Sequence, residues 1–83
     1  MFTVVYFASL RERLGVNKQQ LELPSVKTVN ELVDYLVAEG GENWQQTLKE
    51  SQVMVAVNQE MCELEQPIVA GDEIAFFPPV TGG

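Results

Sequence analysis

The residues best suited to chemistry close the sequence: Phe76-Phe77-Pro78-Pro79-Val80-Thr81-Gly82-Gly83. Adjacent prolines have a fixed φ and no N–H to donate, so a strand through Phe76-Phe77 cannot continue past them and the chain is expected to leave as a stiff extended arm. From Thr81 to Gly83 the arm narrows, and glycine, lacking a Cβ, lets backbone approach another protein's atoms where a larger residue would clash. Such a segment can thread a narrow channel. It also leaves the terminal carbonyl carbon with no neighbouring side chain to block a nucleophile. We therefore expect the main-chain carboxylate of Gly83 to be the working group, with Pro78, Pro79, Val80, Thr81 and Gly82 carrying it into a partner's site. A terminal Gly-Gly alone is more often a frayed end; the prolines and aromatics before it set this one apart.

The remaining composition offers little competing chemistry. The 83 residues include no His and one Cys, so neither an imidazole base nor a Cys/His metal cluster can be assembled, and no metal or cofactor is expected to be bound. Cys62 has no His or Lys beside it, fits a reducing cytoplasm, and in an apolar run reads as inert packing. A chain of this length makes one small domain without room for a deep cleft, so any pocket should come from a partner. With five Lys and Arg against twelve Asp and Glu the net charge is −7, which disfavours nucleic acid and favours a basic protein surface. The apolar opening Met1 to Ala8 is rich in β-formers, lacks a basic leader and is too short to span a membrane, so it reads as a strand.

The elements that must position the tail follow from periodicity. Phe2, Val4 and Tyr6 alternate with Val5 and Phe7, giving a first strand that needs cover on both faces. Ala8 to Leu14 predicts a helical turn, with Ser9 as a possible cap and Gly15 as the stop. Its Arg11 and Arg13 are candidate contacts on an otherwise acidic body. Lys18 to Leu23 alternates in the manner of a half-exposed strand ended by Pro24, able to pair with the first. Thr28-Val29-Asn30-Glu31 is a capping box, and Val29, Leu32, Val33 and Leu36 form one apolar stripe on the helix it opens, stopped by Gly40-Gly41. Asn43 could cap a short helix through Leu48, with Trp44 as a packing lid. Gln52 to Val57 predicts an inner strand, Met61-Cys62 a short one, and Glu73 to Phe77 the last.

This order is that of an α+β protein, a ubiquitin-like β-grasp with one main helix across one face of a mixed sheet. The expected organisation is a folded domain over residues 1–77 and an extended tail over 78–83. One helix covers one sheet face, yet the strands are apolar on both, so a second apolar surface should face outward and serve as an interface. Val5, Phe7, Met61, Ala75 and Phe77 are its candidates.

The run Gly71-Asp72-Glu73-Ile74-Ala75-Phe76-Phe77-Pro78-Pro79-Val80-Thr81-Gly82-Gly83 resembles the C-terminal signature of the small, sulfur-carrying subunits of molybdopterin synthase. Phe7-Ala8-Ser9-Leu10-Arg11-Glu12 and Val57-Asn58-Gln59 resemble two other stretches of that family. The resemblance implies that an adenylating, ubiquitin-activating-like enzyme uses ATP on Gly83, and that a sulfur donor protein converts the adenylate to a thiocarboxylate. The large synthase subunit then takes the sulfur for cyclic pyranopterin monophosphate. Together with the sidedness of the strands, the resemblance implies partner contacts at Phe7, Met61 and Phe77, the shared apolar interface, and at Arg11, which would meet the activating enzyme. Gly-Gly alone would equally suit the sulfur carrier of the thiamine pathway, or a ubiquitin-like modifier joined to target lysines through Gly83.

Overall fold

The computed structural model describes residues 1–79, and among these the chain forms five strands and three helices. In order they are β1 (Phe2–Tyr6), α1 (Ala8–Leu14), β2 (Lys18–Leu21), α2 (Val29–Gly40), α3 (Glu42–Leu48), β3 (Met54–Val57), β4 (Glu60–Met61) and β5 (Glu73–Phe77). The strands lie in one sheet in the order β2-β1-β5-β3-β4. β1 and β5 run parallel, while β1–β2, β3–β5 and β3–β4 are antiparallel, so the sheet is mixed as expected. The last strand in sequence is thus the middle strand in space.

The core lies on one side of this sheet. Phe2, Val4 and Tyr6 of β1, Val55 and Val57 of β3, and Ile74 and Phe76 of β5 meet Leu10 of α1, Leu48 of α3 and the α2 stripe Val29, Leu32, Val33 and Leu36. Each fully buried aliphatic side chain contributes on the order of 1.5–3 kcal/mol. Ile68, from the long connection between β4 and β5, closes the cluster. Tyr6 stands between Trp44, edge-on at 5.5 Å, and Phe76, stacked at 5.9 Å. Trp44 is therefore the lid that its sequence context suggested.

Local signals explain most helix ends. Thr28 Oγ1 accepts from the Glu31 N–H at 3.2 Å, which starts α2. The Glu31 carboxylate returns to the N–H of Lys27, at 2.8 Å, rather than to that of the cap. The last turn of α2 stops at Gly41, whose φ of 84° favours glycine. Two expected caps are displaced. α1 begins at Ala8 with Phe7 in the cap position, so Ser9 falls inside the first turn and cannot cap. α3 begins at Glu42 directly after Gly41, leaving Asn43 within the helix, where its Nδ2 donates to the Arg13 carbonyl at 2.8 Å. β2 ends at Leu21, short of Pro24, and β4 takes Glu60–Met61 rather than Met61-Cys62 because the Asn58-Gln59 turn is tight.

Candidate functional site

Strand alternation sends every second residue to the side away from the helices. On that side the register aligns Val5, Ala75, Ala56 and Met61 as one row across β1, β5, β3 and β4, with Lys18 of β2 at its end. A second row, nearer the tail, pairs Phe77 with Met54. Phe7 prolongs β1 on the same side, its N–H donating to the Phe76 carbonyl at 3.1 Å. Phe7 is 47% exposed, Met61 57% and Met54 37%. Val5, Ala75 and Phe77 are half-buried among their neighbours, and Ala56 is buried. All three helices place their buried apolar residues in the cluster on the opposite face, so the helical cover stands on that side alone among the described residues.

The candidates Phe7, Met61 and Phe77 therefore share one apolar face. Arg11 does not belong to it. It is exposed on α1, the helix whose Leu10 enters the core on the other side. Arg13, its neighbour one turn-step on, donates to Ser51 Oγ at 3.3 Å and ties α1 to the segment after α3. Met54 was missed by the sequence reading, although its parity with Ala56 in a strand apolar on both faces carried the signal.

Pro78 and Pro79 follow β5 without joining the sheet and are half-buried, so the arm leaves from the centre of the sheet, next to Phe77. Val80, Thr81, Gly82 and Gly83, the reactive end expected from the sequence, lie outside the described residues.

The side chains that could rival the tail are held in unreactive settings. Cys62 is half-buried with Sγ 3.8 Å from the Val55 carbonyl, and burial pushes its thiol up, away from the thiolate a nucleophile needs. Tyr6 donates its hydroxyl to Gln19 Oε1 at 2.8 Å, and burial raises it well above the ordinary value of 10.0, so it stays a neutral donor.

One polar network was visible in the sequence only as a turn. Asn58 Nδ2 donates to Asp72 Oδ1 at 3.0 Å, and the Glu73 N–H donates to Asn58 Oδ1 at 3.0 Å. Asp72 Oδ2 accepts from the Val69 N–H at 2.9 Å. The β3–β4 turn is thereby braced against the start of β5, which fixes Met61 relative to the middle strand.

A five-strand mixed sheet with its helices on one face, and with the first and last strands parallel at its middle, defines a ubiquitin-like β-grasp protein. The ThiS family model matches residues 4–83, and the chain belongs to that family. It is 43% identical to the molybdopterin synthase sulfur carrier subunit of Haemophilus influenzae and 36% identical to that of Escherichia coli, in both cases covering 100% of either chain. Among solved structures it is similar to SAMP1, a small archaeal modifier protein of Haloferax volcanii, at 28% identity and a TM-score of 0.76, over 99% of this chain and 98% of that one.

Proposed function

We propose that this chain is a sulfur carrier for molybdopterin synthesis, acting through the Gly83 carboxylate. An activating enzyme joins that carboxylate to the AMP portion of ATP and releases pyrophosphate. The outer sulfur of a donor protein's persulfide then attacks the acyl carbon and AMP leaves; a thiol cleaves the S–S bond of the resulting acyl disulfide, forming a disulfide with the donor and leaving Gly83 as a thiocarboxylate. Activation has to come from outside, because a carboxylate is a poor electrophile and the chain has no His. The uncovered face around Phe7, Met61 and Phe77 docks on the large synthase subunit. From there Pro78 to Gly82 carry the sulfur into the partner's pocket, toward cyclic pyranopterin monophosphate. Arg11, away from that face, contacts the activating enzyme. The partner supplies the acid and base groups, and this chain contributes orientation.

One observation carries the reading: the segment leading to Gly82-Gly83 leaves from the middle strand, beside the apolar face, in a chain collinear with the two curated sulfur carrier subunits. Adding one residue after Gly83 tests it. The extended chain should still bind the large subunit and should transfer no sulfur; transfer by the untrimmed extension would overturn the reading. The likeness to SAMP1 favours a second reading, in which Gly83 is joined to lysines of target proteins. Intact mass separates the two, since a carrier yields oxygen-to-sulfur exchange on the free protein and a modifier yields adducts carrying target peptides.

A further inference from the structure

Left-handed backbone occurs at several turns, and most of them have a local reason. Gly15, Gly41 and Gly71 have φ of 74°, 84° and 96°, values glycine adopts without strain. Asn58 and Gln59, at 51° and 71°, are the central pair of the β3–β4 hairpin, a turn that needs positive φ at both positions. Ala8 has φ of 55° and lies in no hairpin. It carries a Cβ where glycine would be unstrained, at the residue on which β1 swings into α1.

Both sides of Ala8 are tied. Phe7 is extended, at φ −115° and ψ 153°, its N–H bonded to the Phe76 carbonyl and its own carbonyl accepting from the Leu10 N–H at 3.1 Å. Two residues past Ala8, Leu10 is only 2% exposed in the core. Phe7 is nevertheless about half exposed beside the root of the tail. We infer that Ala8 is a positioning residue: the hydrogen bonds of Phe7 and the burial of Leu10 hold it in the left-handed region, its Cβ narrows the torsions open to it there, and Phe7 is thereby presented in a single orientation at the place where the arm leaves the sheet. This rests on the docking reading above. Glycine at position 8 would relieve strain yet widen the accessible torsions, so folding and presentation should respond in different directions.

Three readouts on Ala8→Gly, with Phe77→Asp as a control on the docking reading, test this. The thermal midpoint of Ala8→Gly should be unchanged or raised. Its association with the large synthase subunit should weaken roughly two- to fivefold, the factor implied by glycine's added backbone freedom. In the free protein, carbon relaxation of the Phe7 ring should report greater mobility. Ala8→Val, more crowded in the left-handed region, should lower the midpoint. If Ala8→Gly lowers stability and association together, Ala8 is merely structural and the inference fails. If Phe77→Asp weakens association and Ala8→Gly does not, the inference fails while the docking reading stands. If Phe77→Asp leaves association intact, the docking reading fails, and the ring relaxation still decides whether Ala8 fixes Phe7.

Discussion

Neighbouring residues along β1 and β5 belong to two surfaces with opposite fates. Val4, Tyr6, Ile74 and Phe76 face the helices and are fully buried, whereas Val5, Phe7, Ala75 and Phe77 face away and keep part of their surface in water. The composition of the two sets is nearly the same. Burial by helices turns one into the stabilising core, and among the described residues no helix covers the other, which leaves an apolar surface of the kind that marks an interface. A sheet of this size therefore separates two tasks by parity alone, and the middle strand that takes part in both leads straight into the tail.

The largest test of that contrast lies on the covered side. Phe76→Ala should cost about 3–5 kcal/mol of folding stability, as measured by denaturant unfolding. Its adjacent counterpart Phe77→Asp should behave oppositely: the midpoint should stay within a few degrees, while association with the large synthase subunit weakens about 30-fold, in the range of an interface hot spot. Comparable losses of stability at the two positions would erase the distinction between faces. Titration calorimetry against chemical denaturation reads both.

A smaller effect belongs to Tyr6. Burial raises its folded-state ionisation above the ordinary value of 10.0, so above that pH the unfolded chain releases a proton that the folded chain keeps. Stability should then be complete below pH 10 and fall by about 1.4 kcal/mol per pH unit above it, and Tyr6→Phe should remove that slope. The smallest expected change is at the start of α2. Thr28→Ala removes the hydroxyl that accepts from Glu31 and should cost about 1 kcal/mol of stability, with docking through the other face unaltered.

Much of this arrangement was legible because the signals are local. The Thr28 cap, the Val29-Leu32-Val33-Leu36 stripe and the two-sided apolar strands require only short-range periodicity, and together they led to the β-grasp and to the uncovered face. What escaped depends on contacts distant in sequence. Ser9 has a capping residue type, but Phe7, held to β5 by its N–H bond to Phe76, accepts from the Leu10 N–H and takes the cap position, so Ser9 falls inside the first turn. Asn43 also has a capping residue type, but its partner is the Arg13 carbonyl, thirty positions away. The left-handed Ala8 has no sequence signature, since alanine ordinarily favours helix.

On the proposed function, reactivity resides in the main chain at Gly83 and the folded body orients it. Mass spectrometry of the C-terminal peptide, after incubation with ATP, the activating enzyme and a sulfur source, tests this most directly. Oxygen-to-sulfur exchange should be confined to Gly83 and abolished when that carboxylate is blocked. Sulfur carried on Cys62, or no exchange at Gly83 under conditions that charge a known sulfur carrier, would contradict it.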